Sequence, residues 1–375
     1  MKKKRILFLN LGGFMGGIES YLENLTAMLG GHAELYSLCV LPELASRLRG
    51  NGVEVVVLPI FPGLLKPLRF LAAFFVLPFL ILRWKIDIVQ LNGFLESVLL
   101  LQARLLGREA VYTKHGPFED DLYFWYKNPG RFISREVSRI SAQFANSVVC
   151  VSEAVGVDVR AKISRERVVV IPNWVSYIPT QKVRGEFLHQ PTRLLYVGRL
   201  ERYKGLHLLL EAMREIPNVE LTVVGDGAYR AQLEVLARGI NVAFKGFQKT
   251  PQLYYDAADI FVMPSMGPEG LPMVAIEAMA QCLPCLFSDL SVHQEITDYG
   301  RAGMLFALGD AGDLKSKLLL LIADSRLRTA YSRDAYNIVK QRYNPETARK
   351  AYFSVFNLDS RAIFLSRDMR EELIG

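Results

Sequence analysis

The sequence predicts an α/β protein of two domains facing a cleft, and three observations carry that expectation. Its 375 residues exceed what one hydrophobic core usually supports. The composition is 51% hydrophobic, enough apolar surface for two cores. Apolar β-rich runs alternate with longer helical patterns, stop near the middle of the chain and then start again, as two parallel sheets covered by helices require.

The first series runs through a strand at Ile6–Leu9, a helix over Ile18–Leu29, and strands at Glu54–Leu58, Ile86–Leu91, Ala110–Lys114 and Ser147–Val151. Near-continuous apolar strands of this kind are buried on both faces. A charged, Pro-bounded stretch then follows Pro172–Asn173. The second series is a strand at Leu194–Val197, a helix at Leu206–Arg214, a strand at Glu220–Val224, a helix over Tyr229–Arg238, a strand at Val242–Lys245, a helix around Leu253–Ala257 and a strand at Ile260–Met263, continuing to Tyr331–Tyr343. The expected division is a first domain over 1–175, a linker over 176–191, a second domain over 192–345, and a C-terminal helix and tail over 346–375 packing back on the first domain. Two Rossmann-like halves imply an interdomain cleft, with ligands beyond the carboxyl ends of the strands.

The opening MKKKRILFLNLGG places basic residues before an apolar run, but Asn10 ends that run and no small-x-small cleavage site follows. It reads as a buried strand rather than a leader. The longest uncharged apolar stretch, between Arg69 and Arg83, falls short of the roughly 20 residues of a spanning helix, and Pro78 interrupts it. Four cysteines in so long a chain argue for a reducing cytoplasm. The net charge of +7 suits phosphate-bearing substrates, anionic lipid or nucleic acid alike. However, the basic residues are spread out without an aromatic-basic nucleic-acid motif, so no nucleic acid partner is expected.

The most informative segment is PSMGPEGLPMVAIEAMA, Pro264–Ala280, directly after a strand. Pro272 suits the first turn of a helix that Met273–Ala280 continues. The free N–H groups around Gly270, Leu271 and Met273, with the positive end of the helix dipole, would receive a diphosphate. Glu269 and Glu277 bracket that helix start, on the order of 10 Å apart at 1.5 Å per helical residue, too far for a coupled acid and base. Carboxylates accept paired hydrogen bonds from vicinal diols, so Glu277 suits a ribose and Glu269 a transferred hexose. The alternative is two solvated helix-end glutamates favoured by the dipole.

GRLERYKG, Gly198–Gly205, follows another strand and puts Arg199 and Lys204 where two cations could neutralise a departing nucleoside diphosphate; two solvated loop charges are the alternative. VVGDGAYR places Gly225 and Gly227 at a third strand exit, a pattern that is also ordinary turn chemistry. In the first domain, LGGFMGGIES lacks both the dinucleotide and the P-loop spacing, so neither NAD nor ATP is expected. Its Gly16–Gly17 pair would let a substrate approach the backbone near Glu19. His115 stands at a strand exit beside Gly116, with a structural role as the alternative. CLPC at Cys282–Cys285 has no second Cys pair or His cluster, and reads as a buried strand start rather than a metal site.

In this order the segments resemble glycosyltransferase family 4, retaining enzymes of the GT-B fold. The resemblance runs from Arg5 to about Phe356, and GRLERYKG, VVGDG, ADIFVMPS, EGLPMVAIEAMA and CLFSD carry it most strongly. It implies that Arg199 and Lys204 meet the donor diphosphate, Glu277 the ribose and Glu269 the donor sugar. Gly198, Gly225, Gly270 and Leu271 complete the donor side, with His115 as an active-site residue and Gly16, Gly17 and Glu19 as the acceptor-side loop. VIPNWV at Val170–Val175 resembles the family's VIPNGV with Trp174 in place of Gly. The implied reaction is metal-independent transfer of a hexose, with retention, from a UDP- or GDP-sugar to a glycan or lipid-linked acceptor in cell-surface polysaccharide or glycolipid synthesis. The implied setting is the cytoplasm, peripheral on the inner membrane face. Lys66–Lys85, apolar with basic ends, suits either an interfacial helix on anionic lipid or an ordinary core helix. A nucleotide-sugar epimerase or hydrolase, and a non-catalytic nucleotide-sugar-binding protein, remain alternatives.

Overall fold

The computed structural model describes residues 3–13, 15–59, 68–92, 98–118, 136, 139–180, 184, 188–267 and 269–358. They form two units: unit 1 comprises Met1–Val151, Val155–Pro172 and Pro345–Gly375, and unit 2 comprises Ser152–Ala154 and Asn173–Asn344. The described residues of the expected linker, 176–180, 184 and 188–191, group with unit 2.

Unit 1 is built on seven parallel strands, β1 (Arg5–Asn10), β2 (Glu34–Cys39), β3 (Glu54–Val57), β4 (Ile88–Leu91), β5 (Glu109–Lys114), β6 (Ser147–Cys150) and β7 (Val168–Val170), in the order β3-β2-β1-β4-β5-β6-β7. Ile6, Leu7, Phe8 and Leu9 of β1 are completely buried, because helices cover both faces of a central strand. The helices in chain order are α1 (Gly17–Leu29), α2 (Pro42–Gly50), α3 (Leu68–Arg83), α4 (Leu100–Leu105) and α5 (Glu153–Arg160).

The stretch expected to be either interfacial or core is α3, and its inner side is indeed core: Ala73, Leu77, Leu80 and Ile81 are buried. Lys66 lies outside the described residues. Pro78 stands inside this helix and, lacking an N–H, leaves the carbonyl of Phe74 four residues earlier without its helical donor. Gln102 of α4 donates its side-chain amide to that carbonyl at 3.0 Å. One local defect in α3 thus becomes the bond that holds α4 beside it. No described helix is long and apolar enough to cross a membrane.

Unit 2 repeats the design with β8 (Thr192–Val197), β9 (Val219–Val224), β10 (Val242–Phe244), β11 (Ile260–Met263), β12 (Cys285–Ser288) and β13 (Met304–Phe306), in the order β10-β9-β8-β11-β12-β13. Every pairing is parallel. Its helices are α6 (Leu206–Met213), α7 (Arg230–Leu236), α8 (Gln252–Ala257), α9 (Met273–Ala280), α10 (Ser291–Ile296), α11 (Ala311–Ala323) and α12 (Ser325–Arg342). The last two start on aspartate caps: Asp310 accepts from the N–H of Asp313 and Asp324 from that of Leu327, each satisfying a donor that has no partner inside its helix. Leu194, Tyr196, Leu209, Leu221, Val262 and Leu286 belong to one continuous core between sheet and helices.

Strand order reverses between β1 and β4 in unit 1 and between β8 and β11 in unit 2. In open parallel sheets such a reversal opens a crevice at the carboxyl edge, because the flanking connections leave toward opposite faces. The chain's last helix, α13 (Pro345–Val355), belongs to unit 1, where Tyr352 is completely buried.

Candidate active site

In unit 2 the two strongest sequence motifs leave the two strands that flank the reversal. β8 runs into Gly198–Gly205, and β11 runs into the segment ending at α9. The backbone holds these loops together: the N–H groups of Met266 and Gly267 both donate to the carbonyl of Tyr203, at 2.6 and 3.2 Å. Gly205 has φ of 71°, and a Cβ there would lie 1.7 Å from the carbonyl oxygen of Pro264. Only glycine permits both the left-handed turn and that approach. Gly225 plays the same part from β9, since its Cβ would lie 1.9 Å from the carbonyl oxygen of Gly198. The GDG turn is therefore more than turn chemistry: it is the surface on which the Arg199 loop rests.

Lys204 and Glu269 meet across these loops. The ammonium donates to both carboxylate oxygens, at 2.6 and 2.8 Å, and the Ser265 hydroxyl donates to Glu269 at 2.7 Å. Both side chains are nearly buried, so each charge needs the other to offset its lost hydration. Arg199 is exposed and anchored on one side, where its guanidinium donates to the Tyr203 hydroxyl at 2.6 Å. The Tyr203 ring also lies beneath the Lys204 ammonium at 5.3 Å, a face that attracts cations.

Glu277 projects from α9 and accepts a 2.9 Å hydrogen bond from Tyr255 of α8. Burial raises its pKa above the ordinary glutamate value, with the Tyr255 bond opposing that shift. It is therefore not the solvated helix-end carboxylate that helix-dipole statistics alone would allow. Pro272 is the cap before α9 rather than a residue of its first turn, since its backbone is extended. The Asn173 side chain donates to the Leu271 carbonyl at 2.8 Å, fixing the segment that leads into α9, and Trp174 beside it is buried.

Sequence reasoning missed several partners here: Tyr203, Tyr255, Ser265, Asn173 and His293. Tyr203, Ser265 and Asn173 lie within the quoted motifs without standing out there, and Tyr255 and His293 lie outside them. His293, at the start of α10, is wholly buried, and its Nδ1–H donates to the Ser288 carbonyl at 2.8 Å. That bond fixes the tautomer and leaves Nε2 as an acceptor with no protein donor. Burial lowers its pKa to about 4. Cys282 and Cys285 are buried free thiols, the latter opening β12.

In unit 1 a second polar group gathers at the carboxyl ends of β1, β4 and β5. Gln90 donates to the Tyr21 hydroxyl at 2.9 Å and to Thr113 at 2.8 Å, and the Tyr21 and Tyr352 hydroxyls are 2.6 Å apart. His115 packs edge-on against Tyr21 with ring centres 4.7 Å apart. Burial, and then the charge of Lys114, lowers the His115 pKa to about 3, so the imidazole is neutral at physiological pH. Gly16 caps α1 and Gly17 begins it, and space beside Gly17 is open. Glu19 is buried and accepts from the Asn10 side chain at 3.0 Å. His115, Gly16, Gly17 and Glu19 thus belong to unit 1. Gly198, Arg199, Lys204, Gly225, Glu269, Gly270, Leu271 and Glu277 belong to unit 2.

Two family models divide the chain between them. Residues 15–177 match Glycosyltransferase Family 4 and residues 178–338 match Glycosyl transferases group 1. The chain belongs to glycosyltransferase family 4. Among its relatives, the lipopolysaccharide core biosynthesis glycosyltransferase LpsE of Rhizobium meliloti is 30% identical over 166 residues, 43% of this chain and 48% of that protein. The amylovoran biosynthesis glycosyltransferase AmsK of Erwinia amylovora is 38% identical over 149 residues, 36% of this chain and 37% of that protein. The matches thus span less than half the length of these relatives. Among solved structures, Anabaena HepE in complex with UDP-glucose superposes with a TM-score of 0.79 at 20% identity, over 94% of this chain and 99% of that one. The family 4 chain therefore has the GT-B fold, two parallel-sheet Rossmann-like units.

Proposed function

We propose that this protein is a retaining hexosyltransferase that moves a sugar from a UDP- or GDP-sugar to a glycan or lipid-linked acceptor in cell-surface polysaccharide or glycolipid synthesis. The observation that carries the reading is the joining of Arg199, Lys204 and Glu269 at the strand-order reversal of unit 2, with Glu277 on the helix that follows. Arg199 and Lys204 would neutralise the diphosphate, Glu277 would accept from the ribose hydroxyls, and Glu269 would orient the transferred sugar. Backbone groups at Gly198, Gly225, Gly270 and Leu271 complete the donor side. Gly16, Gly17, Glu19 and His115 would serve the acceptor and the reacting sugar.

In the proposed reaction the acceptor oxygen forms a bond to the anomeric carbon while the bond to the β-phosphate oxygen breaks. The acceptor proton passes to the departing phosphate, so no protein nucleophile and no metal takes part. Arg199 and Lys204 would stabilise the charge that develops on the leaving group, the largest electrostatic demand of the step. The names of LpsE, a glycosyltransferase of lipopolysaccharide core biosynthesis, and AmsK, one of amylovoran biosynthesis, support this class of acceptor. The expected place of action is the inner face of the cytoplasmic membrane.

Calorimetric titration with UDP, GDP, ADP and CMP tests the donor side. One nucleoside diphosphate should bind, and Glu277→Ala should weaken it. Binding of none would refute the assignment. Turnover of the matching sugar nucleotide that needs no acceptor would replace transfer by epimerisation or hydrolysis, and NMR of the product anomer tests retention.

A further inference from the structure

We propose that the outer faces of α3 and α4 form one docking surface for the interface of an anionic bilayer. The proposal deepens the reading of a lipid-linked acceptor and rests on it for its purpose. The surface itself is visible in the helices. Leu71, Phe75, Phe79 and Leu82 recur every three or four residues along α3, so they lie in one stripe. That stripe faces away from the buried Ala73, Leu77 and Ile81. Phe75 is 69% exposed and Phe79 61%. An α-helix that packs its inner face on a core normally turns polar residues outward, and α3 turns phenylalanine. Leu101 and Leu105 of α4 are exposed apolar residues too, the latter 77% exposed. The bond from Gln102 to the carbonyl that Pro78 releases, at 3.0 Å, fixes the two helices as one platform.

Charge selects the occupant. Between Glu54 and Asp87 the sequence holds no carboxylate, and its charged residues are Lys66, Arg69, Arg83 and Lys85. Between Ser97 and Arg108 the charges are Arg104 and Arg108. A second copy docked through this patch would set cations against cations, because a two-fold contact pairs a surface with itself. Anionic headgroups complement the same basic frame while the Phe and Leu side chains enter the acyl boundary, the arrangement of an interfacial rather than spanning helix.

The test is flotation of the full-length protein with vesicles of phosphatidylcholine alone or mixed with phosphatidylglycerol. Wild type should float with the mixed vesicles and only weakly with the neutral ones. Phe75→Ser with Phe79→Ser should lower the bound-to-free ratio about tenfold or more, as loss of two inserted aromatic side chains demands. Arg83→Glu with Lys85→Glu should abolish the preference for the anionic lipid. Wild type that fails to float, or a Phe variant that floats as well as wild type, overturns the proposal. So does a Phe variant that changes only from dimer to monomer by light scattering, which would assign the patch to a second copy. UDP binding, measured on the same proteins, should be unchanged by these substitutions. Absence of UDP binding in wild type would count against the donor reading and leave the flotation result standing.

Discussion

Lys204 and Glu269 illustrate how much at this site depends on pairs rather than single side chains. Lys204→Ala and Arg199→Ala should each abolish most transferase activity while circular dichroism stays native; full activity in either would remove the leaving-group role. The two should differ in stability. Arg199 is exposed, so its loss should change little, whereas Lys204→Ala leaves a nearly buried carboxylate without its cation, which typically costs about 3–5 kcal/mol. Adding Glu269→Gln to Lys204→Met should recover most of that loss in urea titrations without restoring activity. His293 predicts a pH dependence. Its folded pKa of about 4 lies below the ordinary 6.5, so as pH falls the unfolded chain binds the proton first. Stability from this group is full above 6.5 and is lost progressively down to about 4, amounting to roughly 1.4 kcal/mol at about pH 5.5. His115, lowered to about 3, acts in the same direction. His293→Gln should flatten the fall of unfolding free energy between neutral and mildly acidic pH, and an unchanged slope would contradict the burial argument.

The elements that position the site are two loops locked by glycines. Gly205→Ala or Gly225→Ala would drive a methyl group into a backbone carbonyl, and the loops would have to separate. Each should lower the melting temperature and weaken nucleotide binding together, whereas Gly17→Ala, with open space around it, should leave both within error. Elements with strong, long patterns were legible in the sequence: β11 at Ile260–Met263 coincides with its expected range, and α1 and α6 agree to within a residue. β2 was missed because Tyr36 and Ser37 break its apolar run, and β7 because three valines after a charged turn are too short a signal. Motif spacing likewise pointed to Arg199, Lys204, Glu269 and Glu277. Their partners Tyr203, Tyr255 and Ser265 were not legible, since a tyrosine or serine gains its meaning from neighbours that only the folded sheet supplies. Glu19 is a further case: a motif located the residue, but not the Asn10 side chain that donates to it.

At the scale of the whole molecule, the chain builds most of unit 1, then unit 2, and returns to unit 1 with α13. Removing Pro345–Gly375 takes away Tyr352 and with it the 2.6 Å contact to the Tyr21 hydroxyl. Hydrogen exchange should then quicken in β1, β4 and β5 while β8 and β11 keep their protection; uniform loss across both sheets would show that the units do not unfold independently. The two-part pattern was legible because hydrophobic periodicity restarts after residue 191, but the return was only an expectation, since a single amphipathic helix does not name the sheet it will join.

The Tyr21–Tyr352 contact also sets a timetable. The two residues are 331 positions apart, so at about 5–20 residues per second of synthesis the ribosome makes the second roughly 17–66 s after the first. Once β7 has been made at Val170 the emerging first sheet has every strand it needs but not its final helix, whereas the whole of Asn173–Asn344 has already been made by the time α13 is translated. Order of synthesis and order of completion are therefore reversed: the half of the protein that is born first is the half that closes last, and the stretch of time in which a nascent chain most needs a chaperone belongs to unit 1.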